Sequence, residues 1–109
     1  MFFFIRLSFI LFVASPAALG SVEQFNYACQ IYGDAMRIID SMENREEYVR
    51  QRLQEQFPGG ESLAVHEAIW TVAPNERYEV YVASVSDTYS TDWSCDYLRE
   101  FFNQSITQQ

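Results

Sequence analysis

Residues 22–41 read VEQFNYACQIYGDAMRIIDS. Apolar side chains recur along this segment at intervals of three and four positions, which places them on one side of an α-helix. We therefore predict an amphipathic helix over about Val22 to Ser41. Gly33 costs about 1 kcal/mol relative to alanine inside a helix, which suggests that a neighbouring group approaches closely there. The apolar side consists of Phe25, Cys29, Tyr32, Met36 and Ile39.

A second helix is predicted over about Arg45 to Phe57. Asn44 is a favourable N-cap residue, and Glu47 stands three positions later, where it completes a capping box. The sequence Pro58-Gly59-Gly60 then ends the helix. One uninterrupted helix over residues 22–57 would be about 54 Å long, which is too long for so small a domain to cover, so we expect a break near residues 41–44.

The last helix is predicted over about Thr91 to Gln104, with Ser90 or Thr91 as its cap. Residues 105–109 are expected to form a frayed tail. The apolar side of this helix consists of Cys95, Leu98 and Phe102.

The intervening residues 61–86 permit two interpretations. Apolar residues at helical spacing favour helices over 61–73 and 77–86, whereas the valines and tyrosines of 77–86 are typical of strands. Pro74 can open a helix or belong to a hairpin turn. The favoured fold class is mainly α, a small domain of about four helices, and the alternative is an α+β fold with a β-hairpin at about residues 65–85.

The first twenty residues have the pattern of a cleavable secretory signal peptide. Arg6 precedes an apolar run, and Pro16 and small residues follow, so cleavage is expected after Gly20. The run reaches the roughly 20 apolar residues of a membrane span only if Arg6 and Pro16 are included. Residues 21–109 would then form one small acidic domain that is secreted or periplasmic and has no membrane anchor.

Cys29 and Cys95 are the two cysteines of the chain. In an exported protein, the simplest interpretation of an even number of cysteines is a disulfide, here joining the first helix to the last. The two residues lie 66 positions apart. In the chain-entropy model, closing a loop of that length stabilises a folded domain by roughly 4 kcal/mol.

Residues 21–109 carry fifteen acidic residues against six arginines, since the seventh arginine, Arg6, belongs to the leader, and lysine is absent. This negative charge argues against nucleic acid and anionic membranes as partners. It permits electrostatic steering toward a cationic protein.

No catalytic, cofactor, metal or small-molecule motif is complete. His66-Glu67 matches the start of a zinc-protease helix, but Trp70 stands where the second histidine would be required. Glu43, Glu46 and Glu47 cluster at the start of the second helix, and paired carboxylates can catalyse hydrolysis. The positive end of a helix also accounts for this cluster without catalysis. Asn103 begins a glycosylation sequon.

The tyrosine content suggests a surface for a protein partner, because tyrosine and arginine are favoured at interfaces. The favoured function is therefore a non-enzymatic binding or accessory protein of the periplasm or extracellular space, of the inhibitor or immunity type, with a cationic partner. The alternative is a small carboxylate-dependent hydrolase. The tyrosines considered for the surface are Tyr27, Tyr48, Tyr78, Tyr81, Tyr89 and Tyr97.

Overall fold

The computed structural model describes residues 21–107, with side chains up to Gln104. These residues form five α-helices joined by short connections, and the connection between the third and fourth helices contains two 3-10 turns, at Ile69–Thr71 and Pro74–Glu76. The mainly α fold is confirmed, and residues 21–107 contain no strand. The helices are α1 (Val22–Ile38), α2 (Met42–Gln56), α3 (Glu61–Ala68), α4 (Arg77–Tyr89) and α5 (Asp96–Thr107).

Helix α1 begins at the predicted residue. The hydroxyl oxygen of Ser21 accepts a hydrogen bond from the backbone N–H of Glu23 at 2.9 Å, as expected of an N-cap. The helix ends at Ile38, ahead of the predicted Ser41, because Ile39 has an extended backbone. Helix α1 contacts each of the other four helices, so it is the central element of the domain.

Helix α2 begins earlier than predicted, because Ser41 and not Asn44 is its N-cap. Ser41 is extended, and its hydroxyl oxygen accepts a hydrogen bond from the backbone N–H of Asn44 at 3.2 Å. The guanidinium of Arg45 binds back to the end of α1, where Nε donates to the carbonyl of Ile39 at 2.7 Å. Ser41 thus caps the start of α2, and Arg45 of α2 binds the end of α1.

Residues 61–71 and 74–89 form α-helices and 3-10 turns, so the β-hairpin alternative is wrong. Val72 is extended, and Pro74 opens a 3-10 turn that continues directly into α4. The strand-forming residues of α4 are tolerated in a helix because Tyr81 and Val85, four positions apart, both enter the core. Their burial outweighs the weak intrinsic preference of these residue types.

Helix α5 begins at Asp96 and not at Thr91, and it continues to Thr107, past the predicted end at Gln104. Residues 91–95 instead form an irregular segment in which Trp93 and Cys95 are buried and the other three residues are exposed. The backbone N–H of Trp93 donates to Ser86 Oγ at 3.1 Å, and the indole N–H donates to Asn26 at 2.9 Å. These bonds, together with burial of the Trp93 ring, hold the segment out of the helix.

The disulfide Cys29–Cys95 is present, with 5.9 Å between its Cα atoms. It joins the middle of α1 to the residue that precedes α5. Around it the core is largely aromatic: the Tyr81 and Trp93 rings stack 5.9 Å apart, and Phe25 meets both edge-on. Other fully buried side chains are Ile31, Tyr32, Leu53, Leu98, Phe101 and Phe102.

The predicted leader, residues 1–20, lies outside the described residues, as do the last two residues of the predicted tail. The backbone of residues 105–107 belongs to α5. None of the helices in residues 21–107 has the length and apolarity needed to cross a membrane.

Candidate functional site

A chain of three polar side chains crosses the core between α1, α3 and α2. The hydroxyl oxygen of Tyr32 lies 2.6 Å from Nδ1 of His66, and Nε2 of His66 lies 3.1 Å from Oε2 of Glu46. An ionised carboxylate only accepts hydrogen bonds, so Nε2 carries the proton that is donated to Glu46. In the neutral imidazole, Nδ1 then accepts the proton of the Tyr32 hydroxyl.

Glu46 is the partly exposed end of this chain. The hydrogen bond from His66, together with one from Arg50, lowers the pKa of the Glu46 carboxyl below its usual value. The Nε atom of Arg50 lies 3.4 Å from Oε2 of Glu46. Glu46 is therefore an ionised acceptor at neutral pH, whereas a general acid in a hydrolase requires a raised pKa.

The other end of the chain is closed to solvent. Tyr32 is 1% exposed and His66 is 0% exposed. Burial, followed by the neighbouring Tyr81, raises the pKa of the Tyr32 hydroxyl well above its usual value, so the hydroxyl stays protonated. Tyr, His and Glu in this order have the components of a nucleophilic triad, but a substrate cannot reach the hydroxyl. The arrangement instead ties three helices together.

The zinc interpretation of His66 is not supported by its surroundings. The ring of Trp70 meets the imidazole edge-on at 6.0 Å, one turn along the chain. Within residues 21–107, no group of three or more His, Cys, Asp or Glu side chains is placed to hold a metal ion.

A second buried polar contact joins α1 to the start of α3. Oε1 of Gln24 accepts hydrogen bonds from the backbone N–H and the hydroxyl of Ser62, at 2.8 and 2.7 Å. Gln24 and Ser62 are both 0% exposed. Gly60, at the N-cap of α3, has no side chain to offer, so Gln24 supplies an acceptor for the first turn of the helix.

The tyrosines divide between core and surface. Tyr81 is buried and belongs to the core, not to the partner surface considered from the sequence. Tyr27 and Tyr97 are more than a third exposed, and Tyr48, Tyr78 and Tyr89 are half-buried. Tyr27 packs edge-on against Phe57. The partly exposed tyrosines therefore come from α1, α2, α4 and α5, and Arg52 interacts with both Tyr27 and Tyr48.

The arginines of residues 21–107 all bind groups within the molecule. Arg37, Arg50 and Arg99 form ion pairs with carboxylates three or four positions away on the same helix. Arg52 binds the hydroxyl of Tyr48 at 2.8 Å. The remaining two bind main-chain oxygens: Arg45 that of Ile39, and Arg77 that of Val72, where Arg77 also lies over the Trp70 ring.

Most carboxylates lack such a partner. Asp34, Glu46, Glu47 and Asp96 pair with arginine. The other eleven of the fifteen acidic residues form no ion pair with any described residue. They are Glu23, Asp40, Glu43, Glu55, Glu61, Glu67, Glu76, Glu79, Asp87, Asp92 and Glu100.

The carboxylates considered for hydrolysis do not assemble a catalytic pair. Glu47 pairs with Arg50 and also accepts a hydrogen bond from Gln51 at 3.0 Å. Glu43 is exposed in the first turn of α2, where the positive helix end stabilises it. Glu47 lines a polar groove of about 510 Å³ between α2 and α3. The other lining residues are Arg50, Gln51, Gln54, Glu55 and Glu67.

No family model, curated protein or solved structure matches this chain. We therefore infer the function from the chemistry of the described residues.

Sequence analysis missed the Tyr32–His66–Glu46 chain and the Gln24–Ser62 contact. The sequence contains a partial indication of both. Gln24 precedes Ala28 by one helical turn, and Ser62 and His66 are one turn apart on α3, so each lies at core spacing. A buried polar residue needs a partner, but the periodicity of one helix does not identify a partner on another.

Proposed function

We propose that this protein is a small exported binding protein of the inhibitor or immunity type, and that its partner is a cationic protein. The observation that carries the proposal is the distribution of charge. Every described arginine is held by an internal group, while eleven carboxylates form no ion pair with a described residue. The surface of the described residues therefore carries an excess of negative charge, with eleven carboxylates outside any ion pair against three such arginines.

Such a surface accelerates the encounter with a positively charged protein. Complementary charge raises association rates more than it raises affinity, and this effect falls as salt screens the field. The exposed rings of Tyr27 and Tyr97 add the kind of rigid apolar contact area that interfaces favour.

Export is supported by two independent features. Residues 1–20 have the composition of a secretory leader. The second feature is the disulfide Cys29–Cys95, because disulfides form and persist in oxidising compartments. A periplasmic or extracellular location would bring the protein into contact with the secreted enzymes and envelope proteins that an inhibitor or immunity protein acts on.

The carboxylate-dependent hydrolase is less well supported. Glu46 has a lowered pKa and is bound by His66 and Arg50, and Glu47 is bound by Arg50 and Gln51. Both carboxylates thus have structural partners. A glycosidase-type reaction needs one carboxyl that keeps its proton near neutral pH.

The test is capture of the partner from the native compartment by crosslinking and pull-down, followed by kinetics as a function of salt. We expect one saturable, basic partner whose association rate falls steeply between about 50 and 500 mM salt. A variant with Glu23, Glu55, Glu76 and Glu100 changed to glutamine should associate more slowly at low salt and at the wild-type rate at high salt. Absence of a saturable partner, or binding that salt does not affect, would refute the proposal.

A further inference from the structure

A second groove lies between α3 and α4, and its lining is mainly apolar. The buried side chains of Phe25 and Val85 lie beneath it, and Ala64 and Val65 border it on α3. Its volume is about 170 Å³. Pockets for drug-sized ligands begin at roughly 300 Å³, so this groove fits one side chain and not a helix or a cofactor.

One carboxylate is held at this groove. Glu61, the first residue of α3, accepts through Oε1 a hydrogen bond from the hydroxyl of Tyr89, the last residue of α4. Partial burial, reinforced by the Glu61 carboxylate, raises the pKa of Tyr89 to about 12, so the hydroxyl keeps its proton at neutral pH. Among residues 21–107, no arginine or histidine lines the groove, and Oε2 of Glu61 forms no ion pair or hydrogen bond.

We propose that this groove receives a single lysine side chain of the cationic partner, an inference that depends on the proposed function. A lysine combines an apolar stem of four methylene groups with a charged head, and the groove combines apolar walls with one carboxylate. The groove would thus bury the stem and pair the ammonium with Glu61.

Lysine fits better than arginine because of the hydrogen bond from Tyr89. A guanidinium fork binds a carboxylate through both oxygens, and the hydrogen bond from Tyr89 takes one of the two lone pairs of Oε1 of Glu61 and so restricts the approach to that oxygen. An ammonium needs only the other oxygen. Its remaining N–H groups can donate to hydroxyls, and Ser84 and Thr88 line the same groove.

The lysine must come from another molecule. Residues 1–109 contain no lysine, so these residues of a second copy cannot supply the side chain. This absence also simplifies the test, since lysine modification of a mixture leaves the side chains of this protein unchanged.

The direct test is a nitrogen-15 NMR titration of the purified, disulfide-bonded protein with Nα-acetyl-lysine methylamide. We expect saturable chemical-shift changes, with a dissociation constant of about 10 mM. They should occur at the backbone amides of Ala64, Val65, Val85 and Thr88. The Nε-acetylated compound should produce none, and the arginine analogue should bind more weakly. Shifts absent up to about 100 mM, or equal shifts with the Nε-acetylated compound, would overturn the proposal.

Three variants locate the binding. Glu61→Gln removes the charge and Ala64→Leu fills the groove, and each should weaken probe binding about tenfold or more. Glu55→Gln removes the same charge outside the groove and should leave binding unchanged. Because Ala64 is exposed and Glu61→Gln still accepts from Tyr89, both variants should fold, which far-UV circular dichroism checks. Equal weakening in Glu55→Gln would overturn the assignment to this groove.

The partner provides a separate readout. Acetylation of its lysines, or Glu61→Gln in this protein, should weaken the captured complex. If the complex remains salt-dependent but responds to neither change, the lysine groove is refuted and the proposed function stands. If the probe occupies the groove but no cationic partner is captured, the proposed function is refuted and the lysine specificity of the groove stands.

Discussion

The hydroxyl of Tyr32 and the Nδ1 atom of His66 lie 2.6 Å apart in a part of the core that water does not reach, although 34 positions separate the two residues in the chain. Since the other ring nitrogen donates to Glu46, the Tyr32 hydroxyl is the donor that satisfies Nδ1. Three helices are thereby joined through one imidazole.

Removal of this donor should destabilise the fold. Tyr32→Phe keeps the ring but leaves Nδ1 of His66 buried without a partner, which costs about 1–3 kcal/mol. Urea unfolding measures the loss. The control is Tyr97→Phe. Because Tyr97 is exposed, this variant should change the free energy of unfolding by no more than about 0.5 kcal/mol. Equal values for both variants would show that the Tyr32–His66 hydrogen bond adds no stability.

The lowered pKa of Glu46 predicts that the free energy of unfolding depends on pH. Its pKa in the folded protein lies below the usual 4.5 because His66 and Arg50 bind the ionised form. The unfolded chain therefore binds more protons in this range, and the stability contributed by Glu46 is complete above about pH 4.5 and is lost as pH falls through the lower folded pKa. The measurement is the free energy of unfolding in urea from pH 7 to pH 3. At neutral pH it should be larger for the wild type than for Glu46→Gln, and the difference should shrink below pH 4.5. A constant difference would contradict this account.

Gly33 is required because Tyr97 packs on it. An alanine Cβ at this position would lie 2.6 Å from Cδ2 and 2.9 Å from Cγ of the Tyr97 ring. We expect Gly33→Ala to lower the melting temperature of the wild-type protein, since the whole ring must move. In a Tyr97→Ala background, the same change should raise stability by up to about 1 kcal/mol through helix propensity. Stabilisation by Gly33→Ala in both backgrounds would mean that the ring yields without cost.

The sequence predicts the helices best where one face repeats. The apolar side of α1 is predicted in part: Phe25 and Tyr32 recur at helical spacing and are buried, whereas the buried Ala28, Ile31 and Ala35 lie outside the predicted set. The N-cap of α2 is harder to predict, because Ser41 and Asn44 are both good capping residues and only the backbone conformation distinguishes them. The secondary structure of residues 77–86 is ambiguous in the sequence, because their local preference is for a strand. Tertiary packing, which buries Tyr81, makes them helical.

The candidate sites were harder to predict than the fold. Glu46, His66 and Tyr32 come from three helices, and their meeting depends on the packing angles of those helices, which local patterns do not encode. The groove at Glu61 likewise depends on how α3 and α4 are spaced. The aromatic content was visible in the sequence, but whether Tyr81 or Tyr97 is exposed follows from the rotation of each helix.

We expect the Cys29–Cys95 bridge to stabilise this small acidic helical domain, which would suit it to an oxidising compartment. The most direct measurement is the free energy of unfolding in urea, with and without dithiothreitol. Reduction should lower it by about 4 kcal/mol, as loop closure over 66 positions implies. An unfolding curve that reduction leaves unchanged would contradict this expectation.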